Sequence, residues 1–186
     1  MKVLVVCFAN TCRSPVAEAL LRDALHGEPH VDVVSRGLAG GTGVTPEPMA
    51  RALRAAHVAI SPSGGQALER DEARSADLLL FMERRLLRDA VVFDPQLWPR
   101  SFTLREFARR GRLNPPEPEI ETFEAWRHVL HSTRTREELL GTDVSDDVVD
   151  PGLGGDEAAF AAMIDELRVD VAKVAPLLIG WRSSAA

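Results

Sequence analysis

Along this chain short, unbroken apolar runs alternate with stretches in which apolar residues return every three or four positions. Lys2 to Val6 is the first run, a β-branched and leucine segment that reads as a strand covered on both faces. It passes through a short loop into a helical pattern from Pro15 to about Leu25. Ala17, Leu20, Leu21, Ala24 and Leu25 share one face of that helix, and Gly27 ends it. His30 to Ser35 reads as a second strand. A loose loop with Gly37, Gly40, Gly41 and Gly43 follows, and Pro46 to His57 is a second helix. A short segment, Gln66 to Arg74, leads into a third strand, Asp77 to Met82, and a helix from Glu83 to Asp89. Arg100 to Leu104 reads as a fourth strand, running into a helix that holds Phe107 and Ala108.

Strands alternating with helices predict βαβ units, hence an α/β fold with a parallel sheet, helices on both faces and right-handed crossovers. Ligands of such sheets bind beyond the carboxyl ends of the strands, where strand order reverses. Cys7 stands at the carboxyl end of the first strand.

The later chain is less regular. Asn114 to Pro118 is a proline-rich turn or linker. Phe123, Trp126, Val129 and Leu130 fall on one helical face, predicting a helix from about Ile120 to Ser132. The stretch 111–145 reads as an inserted helical segment of a single domain spanning 1–186, and packing over a sheet edge is favoured over a substrate lid. His128 and His131, three apart, are too few for a metal site. A last helix starts near Asp156. Its stripe of Phe160, Met163, Ile164, Leu167, Val171, Val174 and Leu178 is core, and it ends near Gly180, with Ser183 to Ala186 frayed.

Composition narrows the function. A length of 186 residues, 45% hydrophobic and 27% charged, suits one soluble domain, and a net charge of −6 argues against general affinity for nucleic acid. Cys7 and Cys12, the only cysteines, are no disulfide framework and fit a reducing, cytoplasmic setting. The N-terminal run is too short for a signal peptide, and no apolar stretch spans a membrane. No GxGxxG motif occupies the glycine-rich loop, so a dinucleotide site is not expected.

The candidate chemistry lies in Cys7-Phe8-Ala9-Asn10-Thr11-Cys12-Arg13-Ser14-Pro15. Cysteine attacks as thiolate, a form favoured at a helix N-terminus or beside a cation. Ser14 suits an N-cap and Pro15 the first helical position. The N–H groups of the loop and the helix dipole then converge on one anion site. Arg13 adds a planar fork that fits two phosphoryl oxygens. Cys7 is thus the expected nucleophile. Phe8, Ala9, Asn10, Thr11, Cys12, Arg13 and Ser14 form the expected phosphate cradle.

The motif resembles the low-molecular-weight protein tyrosine phosphatases, whose loop reads Cys-x-Gly-Asn-x-Cys-Arg-Ser-Pro. Cys7, Asn10, Cys12, Arg13, Ser14 and Pro15 match, whereas the family's glycine is Ala9. If that position needs a left-handed backbone, alanine costs about 1–2 kcal/mol. The resemblance implies four parallel strands in the order 2-1-3-4, a phosphocysteine intermediate, no metal and no cofactor. It implies that Ser14 bonds the thiolate, that Asn10 braces the loop, and that Cys12 is a redox partner for Cys7. It also implies a general acid at the aspartate of an Asp-Pro pair before the last helix, the place of Asp150-Pro151. Asp94-Pro95 is the competing pair, but it falls after the helix that follows the third strand and before the fourth strand, at the sheet's opposite end.

The expected activity is hydrolysis of a phosphorylated protein or small phosphoester. An arsenate reductase of the same fold is the alternative, although its relay needs more cysteines than Cys7 and Cys12. A phosphate-binding module is another, although it needs neither nucleophile nor acid. The family's aromatic walls beside the cradle have no counterpart in the loop Gly37 to Gly43, nor at Gly152. Phosphotyrosine activity is therefore expected to be real but weak, unless Phe123 and Trp126 restore a wall.

Overall fold

Val3 and Val5 point to one side of the first strand and Leu4 and Val6 to the other, and a separate hydrophobic core forms on each side. The computed structural model describes residues 1–61 and 65–181. The strands are β1 (Lys2–Cys7), β2 (Asp32–Gly37), β3 (Leu78–Phe81) and β4 (Ser101–Thr103). All pair in parallel, in the order β2-β1-β3-β4. Register runs from Lys2 opposite Asp32 to Cys7 opposite Gly37, and from Val3 opposite Leu78 to Val6 opposite Phe81. The fold is the expected four-stranded α/β architecture.

Helices α1 (Arg13–Ala24), α2 (Glu47–Ala55), α5 (Leu104–Leu113), α6 (Phe123–Ser132) and α8 (Glu157–Val174) cover the Val3 face. Helices α3 (Arg70–Ser75) and α4 (Arg84–Phe93) cover the Leu4 face, joined there by Leu139 of the short α7 (Arg136–Leu140). Two 3-10 turns, Pro95–Arg100 and Ala175–Leu178, complete the set among the described residues. Among the described residues no helix is long and apolar enough to cross a membrane.

Several boundaries differ from the sequence reading. The second strand starts at Asp32, not His30, because residues 28–31 are spent on turns: Glu28 N donates to the Leu25 carbonyl and Val31 N to that of Glu28. The first helix starts at Arg13, and Ser14 is not its cap; that side chain is turned to Cys7 instead. The helix after the third strand runs on to Phe93, and the short segment before that strand contains α3. The last helix gives way at Val174 to the 3-10 turn, where Pro176 has no N–H to continue the ladder. The frayed Ser183 to Ala186 lies outside the described residues.

Within 111–145, α6 begins at Phe123, capped by the Thr122 hydroxyl, and α7 had no clear apolar signal. Trp126 is fully buried, stacked on Trp181 with ring centroids 5.1 Å apart and edge-on to Phe107 at 5.8 Å. Such ring pairs add about 0.5–1.5 kcal/mol each beyond area burial. Val129, assigned to the same face, is exposed. Arg134 pairs with the buried Glu106 at 3.0 Å and lies over the Phe102 ring, binding this segment to α5 and β4. His131 packs edge-on against Trp98, and burial pushes its pKa down.

Candidate active site

The cradle begins where β1 ends. Cys7 is buried, and its Sγ accepts hydrogen bonds from the Asn10 backbone N–H (3.2 Å) and the Ser14 hydroxyl (3.0 Å). These are donors of the kind that hold a sulfur anion. Asn10 makes the turn, with φ +51. Asparagine tolerates this left-handed conformation far better than most residues. Ala9 is not left-handed, so the cost foreseen for replacing glycine there does not arise.

Asn10 also braces the loop. Its Nδ2 donates to Ser14 Oγ (3.1 Å) and Ser35 Oγ (2.9 Å), and its Oδ1 accepts from Gln66 N–H (3.2 Å). The chain after β2 lies directly against the cradle: Leu38 N–H donates to the Cys7 carbonyl and Ala39 N–H to that of Phe8. A Cβ on Gly37 would come within 2.8 Å of the Ala9 carbonyl carbon and Asn10 nitrogen, and one on Gly41 within 2.5 Å of the Ala9 oxygen. The apparent looseness of that glycine-rich stretch is therefore close approach of two backbones.

Arg13, in the first turn of α1, is 2% exposed. Its Nη2 donates to Asp150 Oδ2 (2.6 Å). Its Nη1 contacts Glu83 Oε1 (2.6 Å) and the Val148 carbonyl (3.1 Å). The structure thus brings Cys7, Arg13 and Asp150 to one end of the sheet. Asp150 itself is nearly half exposed, and its Oδ1 accepts from Gly152 N–H (3.0 Å). Asp94 lies elsewhere: it pairs with Arg74 (2.7 Å), caps the 3-10 turn through Gln96 N–H, and is held below the usual carboxylate range chiefly by Arg74.

Thr11 and Cys12 are buried in the loop, and Phe8 stands out from it, 47% exposed. Burial, then the negative charges of Asp150 and Cys7, push the Cys12 thiol up to about 12, against a smaller opposing pull from Arg13. Cys12 therefore stays protonated near neutrality.

Glu83, in contact with Arg13, is a residue of the site that the sequence reading did not single out. Its signal was there: an acidic residue two places beyond the end of β3, the strand paired with β1, must emerge beside Cys7. Phe123 and Trp126 do the opposite. They are sealed against Phe107 and Trp181 and present no wall to the cradle.

A family model for low molecular weight phosphotyrosine protein phosphatase matches residues 2–148. The chain belongs to that family. It is 35% identical over 123 residues to the probable low molecular weight protein-tyrosine-phosphatase EpsP of Ralstonia solanacearum, covering 66% of this chain and 83% of EpsP. It is 30% identical over 128 residues to the low molecular weight protein-tyrosine-phosphatase Etp of Escherichia coli K12, covering 68% and 83%. Among solved structures, the YwlE arginine phosphatase from Geobacillus stearothermophilus superposes with a TM-score of 0.68 at 25% identity, over 95% of this chain and 92% of that one. The chain is accordingly a cysteine-dependent phosphatase, acting on phosphorylated substrates. The matched residues stop two short of Asp150, so the case for that residue is geometric.

Proposed function

We propose that Cys7 is the nucleophile, Arg13 and the cradle N–H groups of Phe8 to Ser14 the oxyanion binders, and Asp150 the general acid of a phosphomonoester hydrolase. One observation carries the reading: Arg13 joins the loop that bears Cys7 to the loop that bears Asp150, by a 2.6 Å contact. In the first step the Cys7 thiolate attacks phosphorus in line, the bond to the leaving oxygen breaks, and protonated Asp150 gives that oxygen its proton. Arg13 moves from Asp150 to the phosphoryl oxygens, which frees the carboxyl to face the leaving group. The planar Arg13 fork and the N–H groups hold the charge of the transferring group. In the second step Asp150 takes a proton from water, the water oxygen bonds to phosphorus, and the P–S bond breaks. Orthophosphate leaves and the thiolate returns, held by Ser14 and Asn10.

The substrate reading is a phosphorylated protein with modest preference for phosphotyrosine. Gly152 has φ +68, a conformation strained for any L side chain, so no aromatic ring fits there cheaply. The exposed Phe8 and Leu153 are the apolar groups on offer. Two missing ring contacts, about 0.5–1.5 kcal/mol each, remove roughly ten- to a hundredfold in discrimination.

Phosphoarginine is a second substrate class with its own support. A structure named as an arginine phosphatase is similar over nearly the whole chain, and two carboxylates, Glu83 and Asp150, flank the Arg13 fork where a guanidinium leaving group would need partners. The test is kcat/KM on phosphotyrosine, phosphoserine and phosphoarginine peptides with matched flanks. Turnover of phosphotyrosine within about a hundredfold of phosphoserine supports the first reading. A phosphotyrosine preference above about a thousandfold exceeds what these contacts supply. Preference for phosphoarginine selects the second.

A further inference from the structure

Asp150 sits on a stretch with no regular secondary structure, so something outside that stretch must fix where its carboxyl stands. Arg13 holds the carboxyl, Arg105 the Asp147 carbonyl (2.6 Å) and Arg109 the Asp146 carboxyl (2.8 Å), but the side chain that spans the loop's start and α7 is Arg84, the first residue of α4, which is 7% exposed. Its backbone N–H donates to Asp147 Oδ1 at 2.7 Å. Its guanidinium spreads over three further acceptors: Nη1 to the Glu138 carbonyl (2.8 Å), Nε to the Asp143 carbonyl (3.2 Å) and Nη2 to Asp146 Oδ2 (3.2 Å). One side chain thus joins the end of α7 to the loop that leads to Asp150. The loop is also tied to the sheet, since Val148 N–H donates to the Met82 carbonyl at 2.8 Å.

We propose that Arg84 is a positioning residue for the general acid: it fixes the 143–147 loop so that Asp150 meets the leaving oxygen. The inference rests on the reading of Asp150 given above. Arginine is suited to the task because its planar fork holds five N–H donors in fixed directions, whereas a lysine ammonium is a point charge with three. The α7 acceptor is itself held in place. Glu138 pairs with Arg110 at 2.8 Å and closes a capping box with Thr135, so its carbonyl is a fixed anchor. The segment 111–145 thereby acts as a bracket for the acid loop, at a distance from the phosphoryl group. Glu83, the preceding residue, holds Arg13, so two consecutive side chains at the end of β3 hold the two halves of the site.

The outcome to measure is how rate depends on the leaving group. A proton donor matters most when the leaving oxygen is basic, and misplacement by about 1 Å can cost about a hundredfold. Arg84→Gln and Arg84→Lys are compared with wild type and Asp150→Asn on aryl phosphates of graded phenol pKa. The expected result is a loss of about ten- to a hundredfold in kcat/KM, which reports the first step alone, with the most basic phenols. With the most acidic phenol the loss is expected to be less than about threefold, and vanadate inhibition stays unchanged. Adding Arg84→Gln to Asp150→Asn should steepen the dependence no further. Equal loss across the series, or full additivity in the double variant, overturns the proposal, because loss of folded protein lowers every substrate alike. If Arg84→Gln is insoluble, Arg84→Lys, which keeps the charge beside Asp146, decides the matter by the same slope. A flat series in Asp150→Asn overturns the acid assignment itself. A steep Asp150→Asn series beside flat Arg84 variants overturns only the role of Arg84.

Discussion

The cradle from Cys7 to Ser14 and the loop from Asp143 to Pro151 meet at Arg13, yet they are built in opposite ways. The cradle holds its sulfur from within, by Asn10 and Ser14 on the Cys7 sulfur and by the left-handed turn at Asn10, while Ser35, Leu38, Ala39 and Gln66 brace its outer side. The acid loop is held from outside, by Arg84 and Arg13, and by Arg105, whose Nη1 donates to the Asp147 carbonyl at 2.6 Å. A sulfur whose donors are near neighbours in sequence keeps those donors when distant parts change. A site held by distant arginines is tuned by the whole fold. Oxyanion geometry should therefore be robust here, and proton delivery adjustable.

The largest expected effect strikes the cradle's centre. Cys7→Ser should abolish turnover and retain vanadate binding, because Arg13 and the N–H groups survive. Turnover above a small fraction of wild type would mean that another group attacks phosphorus. Next comes the acid loop. Asp150→Ala should lose about 10²–10⁴-fold on poor leaving groups and less on activated ones. Asp94→Ala should leave kcat nearly unchanged, since Asp94 serves Arg74 and a 3-10 turn far from Cys7. The reverse ranking would exchange the two Asp-Pro pairs and break the comparison.

A smaller effect separates the two halves. Glu83→Gln weakens the hold on Arg13 without touching the contacts of Arg84. It should lower kcat/KM by about tenfold, the scale of one charged hydrogen bond, and by the same factor for every leaving group. A steeper loss with basic phenols would mean that Glu83 belongs to the acid side. A gain in activity would mean that it competes with the phosphoryl group for Arg13.

The same contrast explains what could be read from the sequence. The cradle was legible because its makers are neighbours: strand, thiol, Asn10, Arg13 and helix lie within one short motif. The strand order was legible through the family resemblance, which also pointed to Asp150 as a residue beside Arg13, and the parallel topology set Asp94 apart from it. Glu83 and Arg84 were not, because each looked like an ordinary charge at a helix start, and their meaning lies in partners 54 to 70 residues away. Helix α7 was missed for a related reason: it is short, polar and stabilised by a capping box and Arg110 more than by an apolar stripe. Ser14 was misassigned as a cap because the sequence shows a good cap residue but not the sulfur that claims its hydroxyl.

The smallest effect concerns the second cysteine, and it probes how far the cradle is sealed. Peroxide should convert the Cys7 thiolate to sulfenic acid. The Cys12 sulfur then attacks the Cys7 sulfur, forming the S–S bond and releasing water. Cys12 must lose its proton to do so, and its pKa is pushed up to about 12. Burial is the largest cause and persists after Cys7 is oxidised, although the repulsion from the Cys7 charge does not. With the folded pKa so far above neutrality, the reactive fraction of Cys12 grows about tenfold with each pH unit from 7 to 9. Disulfide closure, followed by quenched mass spectrometry, should accelerate by about that factor. A closure rate that levels off below pH 9 would show that the Cys12 thiol ionises much more easily than its burial implies. In Cys12→Ser, the same peroxide dose should drive Cys7 on to forms that thiol reductants do not reverse, so activity lost in that variant should stay lost. Equal recovery of both proteins on reduction would remove Cys12 from the redox chemistry and leave it a packed thiol at the mouth of α1.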